Sequence, residues 1–249
     1  MISNSNTATI RYGNFLFKHR NTVFPVVTLA LFLAFRPREP WGSVQLNFWL
    51  DVLGVSLALL GQTLRVLVIG LAYIRRGGRH KKVHADRLVT DGIFSHCRNP
   101  LYIGNLLIVA GLFIIHNNPW VYLLGGAFFL SAYHAIVAAE ESFLQKKFGD
   151  DYAAYCRRVH RWMPNFHGLS DTIRGMGFNW RRVVAKDYSP AYVWMLMAVL
   201  LLAYETGLRS NWPENSTQFL NLGLVFVGLT LTFLLAWRLK KTKRLGRTK

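Results

Sequence analysis

A chain of 249 residues with 52% hydrophobic side chains and a net charge of +18 is too apolar to be a soluble domain of this size. Its 30 Lys and Arg residues lie between long apolar runs, a placement that argues against a nucleic-acid partner and for anionic lipid head groups. The composition predicts an all-α fold: a polytopic transmembrane helix bundle of about six spans, with a cytoplasmic helical extension after span four.

The apolar runs cover about 21 to 35, 47 to 74, 100 to 115, 119 to 138, 190 to 208 and 218 to 238. The first and third are short for a hydrocarbon core that takes roughly 20 helical residues. With an inside N-terminus, the inside segments hold three cations up to Arg20, seven from Arg75 to Arg98, nine from Lys146 to Lys186 and seven from Arg238 to Lys249. The outside loops hold only Arg36, Arg38 and Arg209. The positive-inside rule therefore predicts an integral multi-pass membrane protein with both termini cytoplasmic. The polar start, with no small-residue cleavage pattern after Phe35, reads as a retained first span and not a signal peptide. Cys97 and Cys156 both fall on the predicted cytoplasmic side, where thiols stay reduced, so no disulfide is expected.

Span two contains Arg65, with Gln62 one turn away. A charge inside a span is costly and suggests function by default, although an Arg at that depth can also snorkel to the interface or pair with a carbonyl. Asp51 reads as interfacial. The junction Arg98-Asn99-Pro100-Leu101-Tyr102-Ile103-Gly104 turns from basic to apolar in one step. Asn is a preferred N-cap and Pro a preferred first helical residue, so span three starts at Pro100 and aims its first N–H groups at the membrane edge. An anionic group could sit there, against the positive end of the helix dipole. His116-Asn117-Asn118-Pro119 is a short link that predicts a tight hairpin of spans three and four, with Asn118 and Pro119 repeating the cap-and-proline start.

Glu140 and Glu141 end span four and could bind a cationic group or act as base. His134 shares a helix face with Glu141, and Tyr133 with Glu140. From Glu140 to Arg161 the spacing of Phe143, Leu144, Phe148, Tyr152 and Tyr155 predicts a helical continuation, with a possible break at Gly149. Residues Ile173 to Lys186 have the composition of an interfacial amphipathic helix. Ser189-Pro190 would open span five, and Trp212-Pro213 lies in a polar outside turn. His80, His84, His96 and Cys97 lack the tight spacing of a metal site, and no metal is expected. No nucleotide-binding glycine motif occurs.

Three segments in order resemble one family. They are Leu88 to Phe94 followed by Arg98 to Gly104; then Glu140-Glu141-Ser142-Phe143-Leu144 with Phe148-Gly149-Asp150-Asp151-Tyr152 and Tyr155; then Arg161-Trp162-Met163-Pro164. Together these resemble the isoprenylcysteine carboxyl methyltransferase and phospholipid methyltransferase superfamily. The resemblance covers about residues 50 to 165, and Asn99 stands where many members have His. It implies a membrane enzyme that binds S-adenosylmethionine on the cytoplasmic side and methylates a lipophilic acceptor from the bilayer, an isoprenylcysteine-type carboxylate or a phospholipid-type amine.

By position, Arg98, Asn99, Pro100, Tyr102, Gly104, Glu140 and Glu141 would form the cofactor cradle. Glu141, Arg158 and Arg65 are the candidate catalytic residues: a carboxylate would take a proton from an amine acceptor, whereas a cation such as Arg157, Arg158 or Arg161 would orient a carboxylate acceptor. The expected divisions are 1–46 (first span), 47–165 (methyltransferase-like core) and 166–249 (amphipathic segment, spans five and six, basic tail). Two other classes compete. A lipid or sterol reductase could hold a nicotinamide dinucleotide on the basic stretch Arg75 to Lys82, and a non-enzymatic scaffold would leave Arg65 and the glutamate pair without a role.

Overall fold

The structure is a computed structural model and describes residues 7–71, 85, 87–208 and 216–242. Six long helices run back and forth: α1 (Thr7–Ala34), α2 (Val44–Leu71), α3 (Pro100–His116), α4 (Gly126–Arg158, led in by a π-helical turn Val121–Gly125), α6 (Trp180–Leu208) and α7 (Ser216–Lys241). A short α5 (Leu169–Arg174) lies between α4 and α6. The molecule is an all-α polytopic bundle. Among the described residues, four helical stretches are long and apolar enough to cross a membrane by themselves: Val44–Leu71, Val121–Arg158, Trp180–Leu208 and Ser216–Lys241. The apolar α3 is shorter, at 17 residues or roughly 26 Å.

Several boundaries differ from the sequence expectation. Helix α1 begins at Thr7 instead of about residue 21, because Gly13, Leu16 and Phe17 bury one face ahead of the apolar run, lengthening the first helix. Pro190 does not open span five: α6 starts at Trp180 and passes through Pro190. The expected amphipathic helix over Ile173 to Lys186 is thus divided between α5 and the first turns of α6. Gly149 adopts φ 48°, ψ −120°, a conformation open to glycine, and breaks the ladder of α4 without ending it. Beyond that break Tyr152 and Tyr155 still pack with Leu144 and Val159, and the Tyr155 hydroxyl donates to the Phe94 carbonyl at 2.7 Å.

Packing follows small residues. Glycines seven apart on α2 (Gly54, Gly61) meet glycines seven apart on α3 (Gly111, Gly104). A Cβ added at Gly61 would lie 2.5 Å from the Gly104 carbonyl oxygen, and one at Gly54 2.6 Å from that of Gly111. Without a hydrophobic drive between helices in lipid, such close backbone approach is what holds a pair together. Helix α1 docks on α4 through Gly13, whose added Cβ would overlap the Ala135 carbonyl. Helix α7 leans on α6, where the Phe233 ring stacks with Tyr188 and Tyr192, and it buries no residue of its own.

The link between α3 and α4 is as short as the sequence predicts. Asn117 takes the left-handed conformation (φ 47°), and Asn118 Oδ1 accepts the Trp120 N–H at 2.9 Å, as a cap should. The tight hairpin is nevertheless not formed. Helix α3 sides with α2 and α4 with α1, so the two touch sparsely and diverge around a space.

Candidate functional site

That space is a cavity of about 580 Å³ bordered by α1, α2, α3, α4, α6 and the end of α7. Its size falls in the range of roughly 300–1,000 Å³ usual for small-molecule sites. One part is polar, with Arg20, Arg98, Asn99, Tyr102 and Glu140; another is apolar, with Phe24, Val109, Leu112, Phe129, Val193 and Met197. Prolines interrupt two of its walls. Pro25 in α1 has no N–H for the carbonyl of Asn21, nor has Pro190 in α6 for that of Lys186, and all four residues border the cavity.

Helix α3 begins at Pro100, as expected, but Asn99 does not cap it with its side chain. The Asn99 carbonyl accepts the N–H groups of Tyr102 (3.1 Å) and Ile103 (3.3 Å), while its side-chain Nδ2 donates to the Arg161 carbonyl at 3.1 Å. The amide is spent on tying the start of α3 to the returning chain, which also bonds through Arg98 N–H to His160 O and Asn165 N–H to His96 O. At most the Leu101 N–H is left for an anion. Arg98 borders the cavity, and its buried Nε has no hydrogen-bond partner among the described residues.

The two adjacent glutamates part company. Glu140 borders the cavity and accepts the Tyr102 hydroxyl at 2.9 Å, while Arg20 Nη1 donates to the same hydroxyl oxygen at 3.3 Å. Arg20, on α1, was not singled out from the sequence; its place one residue before the first apolar run is the signal that was there. Glu141 turns away from the cavity and is held by Arg161, through Nε at 3.0 Å and through Nη2, and by Arg98 Nη1 at 3.2 Å. Glu141, expected in both cradle and catalysis, thus lies off the cavity lining, with its carboxylate shared by two guanidiniums. Burial, the largest single influence, would lower the Arg98 pKa, yet Glu141, Cys156 and Tyr152 together outweigh it and the net direction is up.

Two further expected site residues lie away from the cavity lining. Gly104 faces α2, where an added Cβ would lie 2.8 Å from both the Gly61 carbonyl oxygen and Arg65 Cγ, so its smallness serves helix contact. Arg158, the last residue of α4, is exposed and does not border the cavity. Pro100 and Arg65 do border it. His134, expected to share a face with Glu141, is exposed.

Arg65 is held inside the bundle by partners on two other helices. It forms an ion pair with Asp187 of α6 and donates to the Asn105 side chain of α3. Gln62 extends the network, donating to Asp187 Oδ2 at 2.6 Å and accepting the Trp194 indole N–H at 2.8 Å. Asp187, 2% exposed, was missed by sequence reasoning. It sits in a basic polar stretch, and the only hint was a lone acid three residues before the proline of span five.

His96 is taken up structurally, with Nδ1 donating to the Asn165 carbonyl at 2.7 Å and Nε2 2.9 Å from Thr172 Oγ1. His80, His84 and the stretch Arg75 to Lys82 lie outside the described residues, as does the Trp212-Pro213 turn. Both cysteines are free thiols. Burial pushes the Cys97 thiol up, and it is 2% exposed, whereas the half-buried Cys156 has Arg98 Nη1 at 2.6 Å. A maleimide at neutral pH should therefore label Cys156 well before Cys97, whose rate should climb only above the usual thiol range. Mass mapping of the labelled peptides checks this; equal rates would contradict it.

Fold and site define a polytopic helical membrane protein with a cavity that is polar in one part and apolar along its helices. Similarity to known proteins points to the isoprenylcysteine carboxyl methyltransferase and phospholipid methyltransferase superfamily. The phospholipid methyltransferase family model matches residues 49–151. The chain is 33% identical over 155 residues to the cobalt-zinc-cadmium resistance protein CzcN of Cupriavidus metallidurans, covering 61% of this chain and 66% of that one. It is 26% identical to the nickel-cobalt-cadmium resistance protein NccN of Alcaligenes xylosoxydans xylosoxydans, over 80% and 89% of the two chains. It is also 27% identical to protein-S-isoprenylcysteine O-methyltransferase B of Arabidopsis thaliana, over 47% and 61%. The matched segments thus span just under two thirds of the first and third of these relatives. No solved structure is a significant match.

Proposed function

We propose that this protein is a membrane methyltransferase that uses S-adenosylmethionine and modifies a lipophilic acceptor reaching the cavity from the bilayer, with the basic end of the bundle and both termini in the cytoplasm. The observation that carries the reading is the two-part cavity, polar at Arg98, Tyr102 and Glu140 and apolar along Phe24, Leu112 and Met197, in a chain similar to this superfamily.

The donor set suits the cofactor. Glu140 can accept from an ammonium, the unpartnered Arg98 Nε can donate to a carboxylate, and the Tyr102 ring can face a sulfonium. S-adenosylmethionine supplies an electrophilic methyl group. The chain's own part is to align and shield: Arg98, held by Glu141, fixes one end of the ligand, Tyr102 and Arg20 hold Glu140 in place, and the apolar wall receives a hydrocarbon tail. Whether the acceptor is an isoprenylcysteine-type carboxylate or a phospholipid-type amine rests on which membrane fraction gains label from methyl-labelled cofactor.

Purified full-length protein in detergent should bind S-adenosylmethionine by calorimetry, and Glu140→Gln should weaken that binding about tenfold, the loss of one charged contact worth about 1.4 kcal/mol. Folded protein that shows no heat up to millimolar cofactor would defeat the reading.

A further inference from the structure

Among the described residues, each arginine on the cavity wall is matched to a carboxylate. Arg98 pairs with Glu141, Arg20 reaches Glu140 through the Tyr102 hydroxyl, and Arg65 pairs with Asp187. The third match is unlike the others. Asp187 comes from α6, beyond the segment that the family model covers, is 2% exposed and does not border the cavity, so it acts on a bound molecule through the residues it holds, of which Arg65 carries the charge. Arg65 itself borders the cavity, fixed from the other side by Asn105, with Gln62 and Trp194 bracing the carboxylate.

We propose that Asp187 is a positioning residue of the cofactor site: by neutralising and orienting Arg65, it lets the cavity admit a sulfonium as readily as the uncharged thioether that remains after methyl transfer. The inference rests on the reading that the cavity binds S-adenosylmethionine. The physical reason is the weak screening of a cavity inside a membrane bundle. A guanidinium without its counter-ion would repel any cation sharing that space, and the methyl donor carries its reactive positive charge on sulfur. The paired Arg65 still offers N–H donors to the cavity while contributing little net charge. A residue outside the family-matched segment would then set how the site discriminates substrate from product cofactor.

The test compares S-adenosylmethionine with S-adenosylhomocysteine, its neutral thioether counterpart, by calorimetry on the full chain in detergent. Asp187→Asn should weaken S-adenosylmethionine about tenfold, equivalent to about 1.4 kcal/mol, and leave S-adenosylhomocysteine within about twofold of wild type. Arg65→Gln/Asp187→Asn, which removes both charges, should return the ratio of the two affinities to the wild-type value. A purely structural role predicts equal losses for both ligands, and that result, or an unchanged ratio in Asp187→Asn, overturns the proposal. If Asp187→Asn does not fold, Arg65→Gln decides alone: removing the guanidinium should shift the ratio several-fold toward S-adenosylmethionine, and an unshifted ratio overturns the proposal. Wild-type protein that binds neither ligand instead defeats the methyltransferase reading, and with it this inference; binding of both with no charge dependence defeats the inference alone.

Discussion

Glu141→Ala is expected to cost about 3 kcal/mol of stability, whereas Glu140→Gln next to it leaves the midpoint nearly unchanged. The Glu141 carboxylate stands between Arg98 and Arg161, and the three side chains are 12%, 10% and 17% exposed. Removing it leaves two nearly buried guanidiniums facing each other. The same carboxylate connects the start of α3 to the segment after α4, where Asn99 Nδ2 and Arg98 N–H already bond to the carbonyls of Arg161 and His160. Loss of the brace should free that junction and disturb the cavity's polar end, so affinity for the cofactor falls together with stability. Thermal unfolding in detergent, followed by tryptophan fluorescence, measures the first effect and calorimetry the second. A Glu141→Ala protein of wild-type stability with selectively lost cofactor binding would instead return Glu141 to the ligand contacts.

Gly111→Val is expected to separate α2 from α3, at a cost of about 3 kcal/mol, the upper end for overpacking. A Cβ at Gly111 would lie 2.4 Å from the Gly54 carbonyl oxygen and 2.9 Å from Ala58 Cβ. The obstacle is backbone, which cannot swing aside as a flexible side chain can. Because Arg65 follows Gly61 by one turn on the same helix, spreading this interface also draws Arg65 away from Asn105 and widens the cavity floor. Gly228→Val on α7, where an added Cβ meets nothing within 4 Å, is the control and should shift the midpoint little. The comparison needs only unfolding midpoints in one detergent. Equal shifts for the two variants would contradict the close-packed interface.

Much of the bundle is legible in local patterns. Apolar runs give the number of helices, the Asn-Pro steps give the start of α3 and the turn into α4, and Gly149 marks a break. The cradle is legible only in part. Arg98, Asn99, Pro100, Tyr102 and Glu140 do border one cavity, while Gly104, Glu141 and Arg158 do not. Adjacent residues such as Glu140 and Glu141 point about 100° apart on a helix, so only the neighbouring elements decide which faces the cavity and which meets two arginines. The glycines spaced by seven on α2 and α3 gain meaning only from the packing. Spacing within one helix does not say which helix it meets.

What the sequence determined by itself is therefore the class of the fold and the distribution of charge between its ends, because helix length, hydropathy and capping are properties of short segments. Tertiary structure alone decided that α3 and α4 diverge around a cavity, that the Asn99 side chain bonds to Arg161 instead of capping its helix, and that Arg65 meets Asp187 across 122 residues of chain. The physical reason is that a buried charge inside a membrane bundle must be compensated, and the partner that compensates it is set by which helices pack side by side, not by proximity in the chain.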